Sequence, residues 1–404
     1  MGRPSDFSEK TMRMQIRVRF GTRASIAAGA LLLAASTTGA FAQAAYRYID
    51  IGAAFSASSG ASAINDLGQI VGVTSSNAGG AVGEAWRWNA GMTTVLPTLN
   101  GWTAWANDIN NAGEIVGGVS GTVVGAWGPA TAVNAVIWRN DQVTALTQLG
   151  AYGWAQASGI NDAGVVVGDY HPRTDPISYL RPQAAQWSPS GLRSMLQSGH
   201  ATSSASAINS QGAVVGMVGD WCCSSHDPAR AHAAMWTPTL ATLTSPAEWR
   251  ATASDINDRG QVVGFTGDRY GIPGSAFLWD GGVTTLLGDP LIGSHALALN
   301  EYGQIVGSTV VNGGTGETRA TLWQGADRLD LNTLIDPEHL EGGWYLSSAN
   351  DINESGWIVG TARQAGTGAT CAFLLTPVPE PATAALLLLG IVSVGLWSRR
   401  RAHR

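Results

Sequence analysis

The chain has 404 residues, of which 52 are Gly and only 13% are charged, and it carries a net charge of −6. From Gln43 to Val378 it holds thirteen arginines, no lysine and twenty-six carboxylates, a net charge of −13. An acidic, lysine-free body repels phosphate backbones, which excludes nucleic acid as an expected partner. So much Gly beside small polar residues suits an all-β protein with polar turns.

The first segment reads as export machinery. Arg13, Arg17, Arg19 and Arg23 form a basic region, Ala24 to Ser36 is short and apolar, and Ala40-Phe41-Ala42 is a small-x-small cleavage site. Residues 1–42 are therefore expected to be a signal peptide, with Gln43 the first mature residue. Met1, Met12 and Met14 are alternative starts, and an uncleaved anchor is the competing reading.

Beyond it, Tyr46 to Gly52 has the alternation of a strand. Then one phrase recurs seven times, first as Ile64-Asn65-Asp66-Leu67-Gly68-Gln69-Ile70-Val71-Gly72. Its Asn returns at Asn110, Asn161, Asn209, Asn257, Asn300 and Asn353, at spacings of 45, 51, 48, 48, 43 and 53 residues. Asn at the first and Gly at the fourth position describe a type I turn whose Gly takes positive φ, so each copy joins two strands. Asp66, Asp162, Asp258, Glu301 and Glu354 follow the Asn and suggest calcium. Asn111 and Ser210 break that pattern, and the spacing fits no calcium loop, so the turn reading is preferred. The outgoing strand, as in Ile70-Val71, is apolar on both faces and ends in Gly, which lets another backbone approach.

Each unit carries a second hairpin marked by Trp88, Trp138, Trp187, Trp236, Trp279 and Trp323, with Leu375 in the last unit. A Trp recurring once per unit is expected to pack between sheets. Four strands in roughly 48 residues is the size of a propeller blade. The last unit lacks a fourth strand, and Tyr46 to Gly52 is spare. The expected fold is thus a closed seven-bladed β-propeller over residues 43–376, four strands per blade, with the last blade completed by the N-terminal strand.

The Asn turns and Trp hairpins share one rim, which reads as structural. On the opposite rim the connections Gly118–Asn134, Asp169–Gln183 and Met217–His232 are long and variable, where function tends to sit. They supply Trp127 and Trp221, and the connections between units add Trp102, Trp105, Trp154, Trp249 and Trp344. Exposed Trp beside polar side chains suits sugar rings; the competing reading is that these rings cover sheet edges. His171, His226 and Asp227 are the residues an enzyme would recruit. No Gly-x-Ser-x-Gly elbow, His-Glu-x-x-His helix or phosphate loop accompanies them. No catalytic residue, metal site or cofactor is expected. Of three cysteines, Cys222 or Cys223 can bond Cys371, the pair can bond each other, or all stay thiols.

Finally, Pro379-Glu380-Pro381 precedes an apolar stretch, Ala382 to Trp397, and Arg399, Arg400, Arg401 and Arg404. That stretch, roughly 24 Å long as a helix, is expected to be a short C-terminal transmembrane helix held in the inner membrane. Residues 377–404 resemble the PEP-CTERM sorting signal of Gram-negative bacteria. The resemblance implies recognition by an exosortase-type enzyme, delivery to the cell surface and company with exopolysaccharide. The repeats, through Cys371-Ala372-Phe373, Ser275-Ala276-Phe277 and His232-Ala233-Ala234, resemble the HAF family of extracellular repeats, which implies a secreted protein and no known catalytic residues. The expected function is a non-catalytic module binding extracellular polysaccharide or another matrix component. The alternatives are a purely structural matrix protein and a carbohydrate-active enzyme.

Overall fold

The Asn phrase sets the strand plan. In the computed structural model every copy sits between two antiparallel strands, and its Gly has φ between +71° and +83°. The structure describes residues 45–378, apart from 56–57, 76–82, 126–127, 148, 150–152, 172–181, 192, 220–230, 238, 244–249, 268–273, 290–291, 312–315 and 326. The chain divides into Met1–Gln43 and Ala44–Arg404, and all described residues belong to the second unit. The expected signal peptide and the tail from Pro379 onward lie outside them.

A first strand, β1 (Tyr46–Asp50), precedes the repeats. The first repeat is β2 (Ser58–Ile64), β3 (Ile70–Ser75), β4 (Glu84–Asn89) and β5 (Met92–Val95). The second is β6 (Thr103–Ile109), β7 (Ile115–Gly125), β8 (Gly128–Arg139) and β9 (Gln142–Ala145). The third is β10 (Trp154–Ile160), β11 (Val166–His171), β12 (Gln183–Trp187) and β13 (Arg193–Met195). The fourth is β14 (Thr202–Ile208), β15 (Val214–Gly219), β16 (Ala231–Trp236) and β17 (Leu240–Thr242). The fifth is β18 (Ala251–Ile256), β19 (Val262–Thr266), β20 (Ala276–Asp280) and β21 (Val283–Leu286). The sixth is β22 (Ser294–Leu299), β23 (Gln304–Val310), β24 (Thr318–Gln324) and β25 (Asp327–Asp330). The seventh supplies β26 (Trp344–Ile352), β27 (Ile358–Gln364) and β28 (Thr370–Pro377). Its fourth strand is β1, antiparallel to β28 with Tyr48 opposite Leu375 and Asp50 opposite Phe373.

The expectation of seven separate blades in a closed seven-bladed propeller is corrected. Among the described residues the strands fall into six separate sheets, five of four strands and one of eight, and no sheet closes on itself. The eight-stranded sheet arises because the β7–β8 hairpin is long. Its arms stay paired out to Gly125 opposite Gly128, and Val133 on the returning arm makes a parallel bridge to Trp154 of β10. Gly118–Asn134, expected as a loop, is therefore largely strand. The expected transmembrane helix is corrected too: among the described residues no helix is long and apolar enough to cross a membrane. Ala382 to Trp397 lies outside them.

The hydrophobic core is divided into layers between consecutive repeats. Val71, Ala85 and Leu96 of the first repeat pack with Ala104, Ile115 and Trp138 of the second. Val116 and Ile137 of the second pack with Ala155 and Trp187 of the third, and the pattern continues around the chain. The seventh repeat packs on the first through Val359, Ala372 and Leu374 against Ala61, Ile70 and Trp86. The recurring Trp serve these layers as expected: Trp138, Trp187, Trp236 and Trp323 are buried.

The Gly that ends each apolar run has a steric reason. A Cβ on Gly72, Gly117, Gly168, Gly216, Gly264, Gly307 or Gly360 would lie 1.9–2.1 Å from a carbonyl oxygen of the preceding strand. That strand bulges at the same level, for example between Ala253 and Asp255 in the pairing of β18 with β19, and the bulge brings the carbonyl inward.

Candidate functional site

The turn is built from one side chain. The Gly68 N–H donates to the Asn65 carbonyl at 3.0 Å, closing the four-residue turn, while the Gln69 N–H donates to Asn65 Oδ1 at 2.9 Å. The other side of the amide faces the next repeat. Asn65 Nδ2 donates to the carbonyl of Asn110, Asn110 to that of Asn161, Asn161 to that of Asn209, and Asn209 to that of Asn257. Asn257 then donates to Asn300, Asn300 to Asn353, and Asn353 back to Asn65, so the seven amides are linked in a ring at 3.0–3.3 Å. All seven Asn are buried. Asp would satisfy the turn, but only Asn also carries the donor that the neighbouring carbonyl needs.

A second tier sits on this ring. The side chain after six of the seven Asn accepts from the backbone of the preceding repeat, and Ser210 instead donates its hydroxyl to Asp258 at 2.6 Å. Asn111 accepts from the Asp66 N–H at 2.9 Å, Asp162 from Asn111 at 2.8 Å, and Asp258 from Ser210 at 2.9 Å. Glu301 accepts from Asp258, Glu354 from Glu301, and Asp66 from Glu354. The carboxylates that suggested calcium are thus acceptors stitching repeats together. Among the described residues no group of three or more His, Cys, Asp or Glu side chains is placed to hold a metal ion. The turns surround a hollow of about 310 Å³.

A third tier lies two residues before the Asn. Asp108, Asp255 and Asp351 each accept one N–H from the next residue and one from the following repeat: Ile160, Leu299 and Ile64 respectively, at 2.8–3.0 Å. Burial pushes Asp108 up to about 6, against the pull of its two N–H donors and with Asp162 adding to the rise. Burial likewise takes Asp255 to about 7, with Asp108 and Glu301 adding to it. Asp351 rises well above the usual carboxylate range for the same reason, with Asp255 and Asp108 facing it. These side chains are densely enclosed yet keep part of their surface exposed, and Asp255 borders the hollow.

The opposite end of the strands holds the aromatic residues expected from sequence. Trp102 immediately precedes β6, Trp105 lies in its first half, Trp154 begins β10 and Trp344 begins β26; each is half-buried. Trp102 lies over Gly121 and Trp105 over Gly118, where an added Cβ would fall 2.2 and 2.4 Å from the indoles. One side of each is therefore spent on packing. Trp102, Trp105 and Trp154 share adjacent repeats, whereas Trp344 belongs to the seventh, packed against Leu346 and its neighbours. Trp127, Trp221 and Trp249 lie outside the described residues, as do His226, Asp227, Cys222 and Cys223. Cys371 is a free thiol whose Sγ donates to Asp50 Oδ1 at 2.9 Å; burial and Asp50 push it up to about 12.

The same end has a cavity of about 390 Å³ between the fourth and fifth repeats, lined by Thr202, Met217, Gly219, Ala231, Arg250 and Thr252 among others. Met217, Gly219 and Ala231 flank one of the connections expected to be functional. The sequence pointed to that connection by length, but gave no sign of the cavity, which needs two repeats side by side. The Asn ring was likewise missed; its signal was an Asn fixed seven times where a type I turn would also accept Asp or Ser.

Strand plan, layered core and sorting tail together define an exported all-β protein with a propeller-like fold. Its likeness to known structures is one of fold alone. The β-propeller domain of the Trilobed protease from Pyrococcus furiosus, described as having an open velcro topology, matches with a TM-score of 0.50 and 9% identity over 81% of this chain and 97% of that one. An acylaminoacyl peptidase in complex with Z-Gly-Gly-Phe-chloromethyl ketone matches with a TM-score of 0.50 and 10% identity over 81% of this chain, which spans about half (54%) of that protein. The chain belongs to the DUF3466 family of proteins of unknown function, matched over residues 147–362. The expected HAF-repeat family is not the one that matches. Residues 377–402 match the PEP-CTERM protein-sorting motif, which marks the chain for recognition by an exosortase and for export and sorting to the cell envelope or surface. No curated protein matches the sequence.

Proposed function

We propose that this protein is a non-catalytic binding module for an extracellular polysaccharide or another matrix component, displayed at the cell surface after cleavage of a signal peptide ahead of Gln43. The observation that carries this reading is the placement of Trp102, Trp105, Trp154 and Trp344. All four fall toward the end of the strands opposite the Asn turns, and each is partly exposed as a residue. Partly exposed indoles on a rigid β scaffold offer flat apolar faces to sugar rings, and the cavity beside Arg250 adds a polar edge. Single stacking contacts are weak, so retention arises from several contacts along a repetitive polymer.

The test is retention of the full chain on immobilised polysaccharides. Wild type is retained on at least one acidic or neutral exopolysaccharide. The double variant Trp127→Ala/Trp221→Ala, and separately Trp154→Phe/Trp344→Phe, elute earlier with melting temperatures within a few degrees of wild type. No retention of wild type on any polymer, together with lowered melting in both variants, would leave these residues as packing side chains and the protein as a structural matrix component.

A further inference from the structure

The fourth and fifth repeats meet through Met217, which follows Gly216, and Thr252, which stands five residues before Asn257. The Thr252 hydroxyl donates to Met217 Sδ at 3.7 Å. One step on, the fifth and sixth repeats use the same two positions for Phe265 and His295, whose rings lie 4.4 Å apart. Two rings fill that gap, and Met217 with Thr252 does not fill its own. Beside them Gly219, Ala231 and Gly267 add almost no side chain to the wall. The cavity of about 390 Å³ is what remains, and it has the size of a small-molecule site.

Its walls are apolar in chemistry even where polar residues form them. The Thr202 hydroxyl donates to the Gly219 carbonyl at 3.0 Å, and Ser203 Oγ accepts from the Ala184 N–H at 2.9 Å. With the Thr252 hydroxyl on Met217, each of these hydroxyls is engaged inside the protein. Arg250 is different. It is exposed, and its stem lies over Gly267, where an added Cβ would fall 3.0 Å from Arg250 Cβ. Among the described residues no carboxylate pairs with it, and it is the one charged side chain of the lining. A guanidinium presents a planar fork of donors that matches a carboxylate. A bare sugar needs a partner for its hydroxyls and does not suit such walls. We propose that this cavity binds a small organic carboxylate with an apolar body, the body against Met217 and Ala231 and the carboxylate at Arg250. The inference goes beyond the polysaccharide reading, which rests on the tryptophans.

Isothermal titration of the full chain with phenylbutyrate tests the site, with phenylbutanol as the uncharged counterpart and glucuronate as a sugar acid. Phenylbutyrate is expected to bind saturably and about tenfold more tightly than the alcohol, and glucuronate not at all. Arg250→Gln, at an exposed position, should bring the acid down to the affinity of the alcohol with melting unchanged. Met217→Phe/Thr252→His copies the pair that fills the next gap and should abolish binding of both compounds. Met217→Phe alone serves if the double variant does not fold. Absence of saturable binding by wild type, equal affinity for acid and alcohol, tighter binding of glucuronate, or undiminished binding in the filled variant would overturn the proposal. The polysaccharide reading can fail in its own retention test without touching this result.

Discussion

At the scale of single residues, the Asn turn separates two demands that one side chain meets. Asn257→Asp keeps the oxygen that accepts the Gln261 N–H and loses the donor to the Asn300 carbonyl. A buried oxygen then faces another, and the expected loss is about 2–4 kcal/mol in denaturant unfolding. Asp258→Ala, at an exposed position, should cost no more than about 1 kcal/mol. The two recurring glycines answer to different causes. Gly260 has φ +75° with open space around its Cβ position, whereas a Cβ on Gly264 would lie 2.0 Å from the Thr252 carbonyl oxygen. Gly260→Ala is expected to cost about 1–2 kcal/mol from backbone strain, and Gly264→Ala distinctly more, because backbone must move. Equal losses would contradict the close-approach account. Asp108, Asp255 and Asp351 set a pH dependence. Their folded values lie above the ordinary carboxylate value, so the folded state binds protons more tightly than the unfolded one. Their contribution to stability is full below about pH 4 and is expected to fall as pH rises through about 7, where Asp255 ionises. Melting temperature should drop between pH 5 and pH 8, and Asp255→Asn should flatten that drop.

Among elements, β1 has the largest consequence for its length. It covers the edge of β28, and Ile51 just beyond it is buried in the layer between the seventh and first repeats. Removing Tyr46 to Gly52 exposes a strand edge and uncovers Phe373 and Leu375, so thermal melting should fall by more than about 10 °C or the chain should fail to fold. A shift of a degree or two would show β1 to be dispensable. Strand placement was legible in the sequence because Asn-x-x-Gly, the apolar run and the terminal Gly each state a local steric requirement. The partnership of β1 with β28 was legible from a spare strand at one end and a missing one at the other. The joined sheet of the second and third repeats was not. It depends on how far β7 and β8 remain paired beyond the common strand length, and Gly, Thr and Ala in that stretch read as loop.

For the whole molecule, the sequence located the two ends of the strands correctly but assigned their interest unevenly. The regular end was read as scaffold because its residues repeat. Repetition is what allows carboxylates from several turns to converge around one hollow, a property that no single repeat shows. The variable end was read through its tryptophans, and two of those described turn out to lie on the glycines of a neighbouring strand. Periodicity reveals what each unit does for its neighbours and is silent about how much of a side chain is left over for a ligand. The bond from Asn353 to the Asn65 carbonyl joins positions 288 residues apart, and β1 waits for a strand that is made last. Neither can form while the chain is still being synthesised from its first residues. The joining of the seventh repeat to the first is therefore deferred until β28 has been made, so the body completes its packing only once nearly all of its described strands exist.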